Sequence, residues 1–131
     1  MLTKNNIIIF ILFLGMFLIH SDLGAEEFNI TAKEVIIDKD KKTVTGIGTV
    51  QATDSDGKII TANKIEYDKS KEFLKADGNV TIDDNEGNIL KTNKATYDKI
   101  KELILTSGDT ELLIKEGYKL VTRNISYEPL V

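Results

Sequence analysis

The sequence predicts an all-β domain of about seven antiparallel strands behind an N-terminal leader. Three observations carry that expectation. Like residues fall into columns every thirty positions without a gap, apolar and polar side chains alternate between those columns, and Asp- or Gly-bearing turns bound each stretch.

The leader comes first. Lys4 supplies a positive start, an apolar run extends from Ile7 to Ile19 broken only by Gly15, and His20, Ser21 and Asp22 end it. A run that short falls below the roughly 20 residues that span a bilayer, so residues 1–25 read as a secretory signal peptide. Cleavage after Ala25 would start the exported chain at about Glu26. Leu23 is large for the third position before the cut, which keeps an uncleaved anchor open as the second reading. Residues 26–131 then form one β domain.

Rows of thirty starting at Ile30, Ile60, Leu90 and Leu120 align Gly48 with Gly78 and Gly108, and Gly57 with Gly87 and Gly117. Tyr67, Tyr97 and Tyr127 share a column in which Ile37 is the first-row variant. Asp38, Asp68, Asp98 and Glu128 follow directly after them. Such a fixed period is the mark of a repeated supersecondary unit.

Each row holds two stretches. The first, as in Ile59 to Tyr67, shifts its inward parity near Asn63-Lys64 and again at Asn93-Lys94, which predicts a bulge or bend there. In the second, Leu74, Ala76, Gly78, Val80 and Ile82 share one face while Lys75, Asp77, Asn79 and Thr81 take the other, the pattern of a strand with one buried face. Turns such as Asp68-Lys69-Ser70-Lys71 are led by an Asp that bonds its own downstream backbone. Turns such as Asp54-Ser55-Asp56-Gly57 and Asp84-Asn85-Glu86-Gly87 end on the positive φ that Gly supplies. Strands are expected near 28–37, 42–53, 58–67, 72–82, 88–97, 102–114 and 119–127. They must roll up or stack to hide their apolar face, as a jelly roll, an open barrel or a β-solenoid. The mid-strand glycine column at 48, 78 and 108 fits a sharply curved strand, a close approach to the backbone or a simple bulge.

Composition excludes several functions. Cysteine is absent and the one histidine, His20, lies in the leader, so the exported chain lacks the side chains for thiolate chemistry or a typical zinc site. A net charge of −4 with lysines interleaved among acids disfavours nucleic acid as a partner. The acids Asp54/Asp56 and Asp83/Asp84/Glu86 lack the spacing of a calcium loop and sit on expected exposed turns without an aromatic cleft, so they read as turn formers. No enzyme and no cofactor is expected.

The stretches Ile60-Thr61-Ala62-Asn63-Lys64-Ile65-Glu66-Tyr67-Asp68 and Leu74-Lys75-Ala76-Asp77-Gly78-Asn79-Val80-Thr81-Ile82 resemble the OstA-like family. That family comprises the periplasmic lipopolysaccharide-transport proteins LptA and LptC and the N-terminal domain of the outer-membrane protein LptD. The resemblance covers residues 28 to 128. It implies an open β-jelly roll in the periplasm whose apolar interior holds lipopolysaccharide acyl chains. Carried over by position, the lipid-facing residues are Ile60, Ala62, Ile65, Tyr67, Leu74, Ala76, Val80 and Ile82, then Leu90, Ala95, Tyr97, Ile104 and Leu112. This sequence departs from the pattern at Thr106, at Asp109-Thr110 and at Ile37.

A packed core and a lipid groove use the same residue types, so a structural β-repeat such as a solenoid or adhesin segment without a lipid ligand stands as the alternative. The fourth row completes a first strand at 119–127 with no second strand before Val131. An edge of that kind invites another Lpt jelly roll to pair with it, or precedes a longer LptD-like polypeptide carrying an outer-membrane barrel.

Overall fold

The computed structural model describes residues 28–128, and every regular element among them is a β-strand. The expected signal peptide over 1–25 and the proline at 129 lie outside the described residues. The strands are β1 (Asn29–Thr31), β2 (Glu34–Asp38), β3 (Thr43–Thr53), β4 (Ile59–Asp68), β5 (Phe73–Asp83), β6 (Ile89–Asp98), β7 (Leu103–Ser107), β8 (Thr110–Leu113), β9 (Lys119–Thr122) and β10 (Ser126–Tyr127). All pairings are antiparallel.

One sheet folds over on itself into two layers. The first layer runs β2, the start of β3, the end of β4, the start of β5, the end of β6, β7 and β10. The second runs β1, the end of β3, the start of β4, the end of β5, the start of β6, β8 and β9. The outermost strands of each layer do not pair with each other, so the roll stays open in the manner of a jelly roll.

The fold line is the glycine column. In β3 the register skips between Ile47 and Val50, and in β5 between Asp77 and Val80. Gly48-Thr49 and Gly78-Asn79 there all have positive φ, at 82° and 46° and at 84° and 48°. Each such pair opposes a single asparagine, Asn63 or Asn93, which is the two-against-one arrangement of a bulge. The parity shift expected at Asn63-Lys64 is present: both side chains are exposed, with Ala62 and Ile65 buried on either side. At Gly48 and Gly78 the bulge coincides with a sharp bend and a close approach: a Cβ on Gly78 would lie 2.6 Å from Asn63 Nδ2, and one on Gly48 3.1 Å from Lys33 Cδ.

The seven expected strands become ten. Those expected over 28–37, 102–114 and 119–127 are each broken in two, because the residues crossing between layers have no ladder partner at Ala32-Lys33, Gly108-Asp109 and Arg123-Asn124-Ile125. Thus 119–127 is two short strands in different layers rather than one edge. The turns follow their sequences: Asp38, Asp68 and Asp98 each accept backbone N–H groups two or three residues on, and Gly57, Gly87 and Gly117 have positive φ.

Candidate functional site

The interior between the layers is the candidate site. Side chains alternate across each strand, so the inward set of one layer faces the inward set of the other. Ile65, Tyr67, Leu74, Ala76, Ala95, Tyr97 and Ile104 come from the first layer, and Ile60, Ala62, Val80, Ile82, Leu90 and Leu112 from the second. All thirteen positions proposed from sequence are buried and belong to one continuous apolar cluster. The interior is filled by its own side chains: Ile60, Ile65 and Ile104 are 0% exposed.

Sequence reasoning missed part of this lining. Phe28, Val50 and Ala52 extend it at the first end. Thr92, Thr106 and Thr110 are also buried, and their hydroxyls form a chain, Thr92 to Thr110 at 3.0 Å and Thr110 to Thr106 at 2.9 Å. The thirty-residue columns contain the signal: these threonines stand below Ala62, Ala76 and Val80. Polarity alone disguised them.

A second missed group lies where the layers meet opposite the fold line. Phe28, Lys58 and Asn88 occupy one column of the repeat, and each lies beside a tyrosine thirty-nine residues on. Phe28 packs edge-on against Tyr67 with ring centroids 5.2 Å apart, and also against Tyr97 at 6.0 Å. Lys58 Nζ donates to Tyr97 Oη at 3.1 Å and sits 4.8 Å from that ring's centroid. In the third row Tyr127 Oη donates to Asp84 Oδ2 at 3.0 Å, and Asn88 Nδ2 donates to the same oxygen at 2.7 Å.

Asp54 corrects the expectation of exposed acidic turns. It is buried, its Oδ1 accepts the N–H groups of Asp56 and Lys58 as a turn former should, and its Oδ2 lies 3.8 Å from Lys58 Nζ without a hydrogen bond. Burial works to lower the Lys58 pKa, but the Tyr97 hydroxyl and the Asp54 and Asp56 carboxylates outweigh it and raise it above the ordinary lysine value. Tyr97 is pushed upward by burial, with Lys58 opposing. Tyr127 is pushed up to about 12, first by burial and then by its bond to Asp84. Burial acts upward on Asp84 as well, yet hydrogen bonds from Asn88, Glu86 and Tyr127 hold it below the usual carboxylate range.

The two ends of the roll expose apolar strands. Val35, Ile36 and Ile37 on β2 are exposed at one end, and Leu120 and Val121 on β9, with Tyr118 just before it, at the other. Ile37 shares the tyrosine column yet stays exposed because β2 is an edge strand with β3 as its neighbour.

No family model matches this sequence, and no curated protein matches it. Among solved structures the chain is similar to LptH, the LptA-homologous periplasmic component of the lipopolysaccharide transport device from Pseudomonas aeruginosa. The identity is 16%, the TM-score is 0.66, and the match covers 77% of this chain and 75% of that one. The chain therefore has the LptA-like open β-jelly-roll fold.

Proposed function

We propose that this protein is a periplasmic carrier module that shields lipopolysaccharide acyl chains between its two layers and passes them towards the outer membrane. The observation that carries this reading is the continuous apolar lining, drawn from both layers of a roll whose fold is that of LptH. Burying acyl carbon gains about 0.8 kcal/mol per CH₂, so a chain of about a dozen gains on the order of 10 kcal/mol before ordering costs. That is enough to hold lipid in water without chemistry.

The exposed apolar edges fit head-to-tail pairing with another jelly roll, since a free edge offers unpaired N–H and C=O groups. Photo-crosslinkers at Thr122 or Ser126 should capture such a partner or a second copy. The direct test of the carrier reading is displacement of a fluorescent acyl-chain probe from the purified protein by lipopolysaccharide. Saturable displacement is the expected result. A protein that takes up no probe favours the second reading, a structural β-repeat, which the filled interior supports.

A further inference from the structure

We propose that the tyrosine row opposite the fold line is a seam that parts to admit an acyl chain and closes over it. This rests on the carrier reading. A filled interior has to open for a ligand to enter, and the fold leaves one side made for that purpose.

Along the fold line β3, β4, β5 and β6 pass unbroken from one layer to the other, so separation there means breaking ladders. At the first end the layers pinch together: a Cβ on Gly46 would lie 2.6 Å from Val50 Cγ1 and 3.2 Å from both Ala32 and Ile30 side-chain carbons. Towards the last end the Thr92–Thr110–Thr106 hydroxyl chain joins the layers, and Thr106 exchanges hydrogen bonds with Ile125 through N–H to O at 2.9 Å and N–H to Oγ1 at 2.8 Å. Opposite the fold line the contacts named above run from side chain to side chain, one set per row: Phe28 with Tyr67, Lys58 with Tyr97, and Asp84 with Tyr127.

Those contacts suit a closure that opens. The Lys58–Tyr97 and Tyr127–Asp84 bonds can be exchanged for water or for the oxygens of an amphipathic ligand's polar end, so parting them leaves few polar groups unpaired. Phe28, Tyr67 and Tyr97 belong to the apolar cluster of the interior, so closing again covers an inserted chain. The seam also fixes the ligand's orientation, with the chain inside and its polar end beside the Lys58 ammonium. The thirty-residue spacing places one latch per row along the length of the roll.

The chain has no cysteine, so a pair introduced across the seam is unique. Lys99 Nζ lies 5.0 Å from the Phe28 ring centroid, which makes Phe28→Cys with Lys99→Cys a suitable pair for a short bismaleimide. Uptake of the fluorescent fatty acid cis-parinaric acid is then followed by stopped flow. The expected result is that bridging slows uptake roughly tenfold or more relative to the same pair before bridging, whatever that pair's own rate. Equal uptake with and without the bridge overturns the seam and leaves the carrier reading standing. No uptake even by the unmodified protein overturns both. Should the cysteine pair fold poorly, Tyr97→Phe with Tyr127→Phe removes two latch hydroxyls while keeping the rings, and should speed uptake roughly tenfold. An unchanged or slower rate overturns the proposal.

Discussion

The central strands and the outer strands take the same path through both layers, yet only the central ones survive as single elements. β3, β4, β5 and β6 are continuous through the bend, whereas β1/β2, β7/β8 and β9/β10 cover equivalent routes in two pieces. The central strands have neighbours on both sides, so ladder hydrogen bonds on each side of the bulge hold the chain through it. The outermost paths, β1/β2 and β9/β10, have a ladder on one side only, whereas β7/β8 has partners on both sides and still breaks, at Gly108-Asp109. Neighbours alone therefore do not decide continuity. β3 and β7/β8 each lie between an unbroken path and a broken one. They differ at the crossing, where Gly48-Thr49 in the first is Gly108-Asp109 in the second, Asp being the poorer strand former.

The comparison is broken most directly in the core. Ile65 is fully buried in the central part, and Ile30 is partly buried at the first end. Ile65→Ala should cost about 3–4 kcal/mol and Ile30→Ala about 1 kcal/mol, measured by urea unfolding. Equal costs would show that the centre and the ends do not differ in packing.

The fold line gives the next effect. Gly78 has φ of 84°, and a Cβ there would meet Asn63 Nδ2 at 2.6 Å and Asn63 Cβ at 3.0 Å. Gly108 has φ of 93°, but its Cβ would stand 3.7 Å from the nearest atom of Asn93. Gly78→Ala should thus lose about 2 kcal/mol, from backbone strain together with crowding, and Gly108→Ala about 1 kcal/mol, from strain alone. The ratio of the two urea midpoint shifts reads how much tighter the bend is at the centre.

The smallest effect lies at the last row. Because the Tyr127 hydroxyl is raised in the fold from 10.0 to about 12, the folded state favours its protonated form. Its contribution is fully present below pH 10 and is lost as pH rises through about 12. Stability measured across that window should fall, and Tyr127→Phe should remove this part of the slope. The same slope in the variant would show that the third-row contact adds nothing.

Much of this was legible in the sequence, and particular residues show where legibility stopped. Strict alternation along Leu74 to Ile82 placed the inward face, and the parity shift at Asn63-Lys64 placed the bend. Polar residues inside were not legible from polarity, because a threonine such as Thr110 can satisfy its hydroxyl with Thr92 and Thr106 and be buried all the same. Lys58 was hidden for a related reason: its charge suggested solvent, while its place in the column of Phe28 and Asn88 assigned it to the seam. The broken outer strands were out of reach because a ladder depends on partners brought from elsewhere in the chain.

A repeat that tolerates no gap is also a unit of length. Each thirty-residue row adds two strands to the roll, one step in each layer for each strand, and neighbouring strands are about 4.8 Å apart, so a row is worth close to 10 Å of extent. An additional copy of residues 60–89 inserted in register would preserve the spacings across the seam, thirty-nine residues from Phe28 and Lys58 to their tyrosines and forty-three from Asp84 to Tyr127. It would also preserve the glycine column of the bend. The length of the roll can therefore change in whole rows, by duplication or deletion, without redesigning either its closure or its fold line.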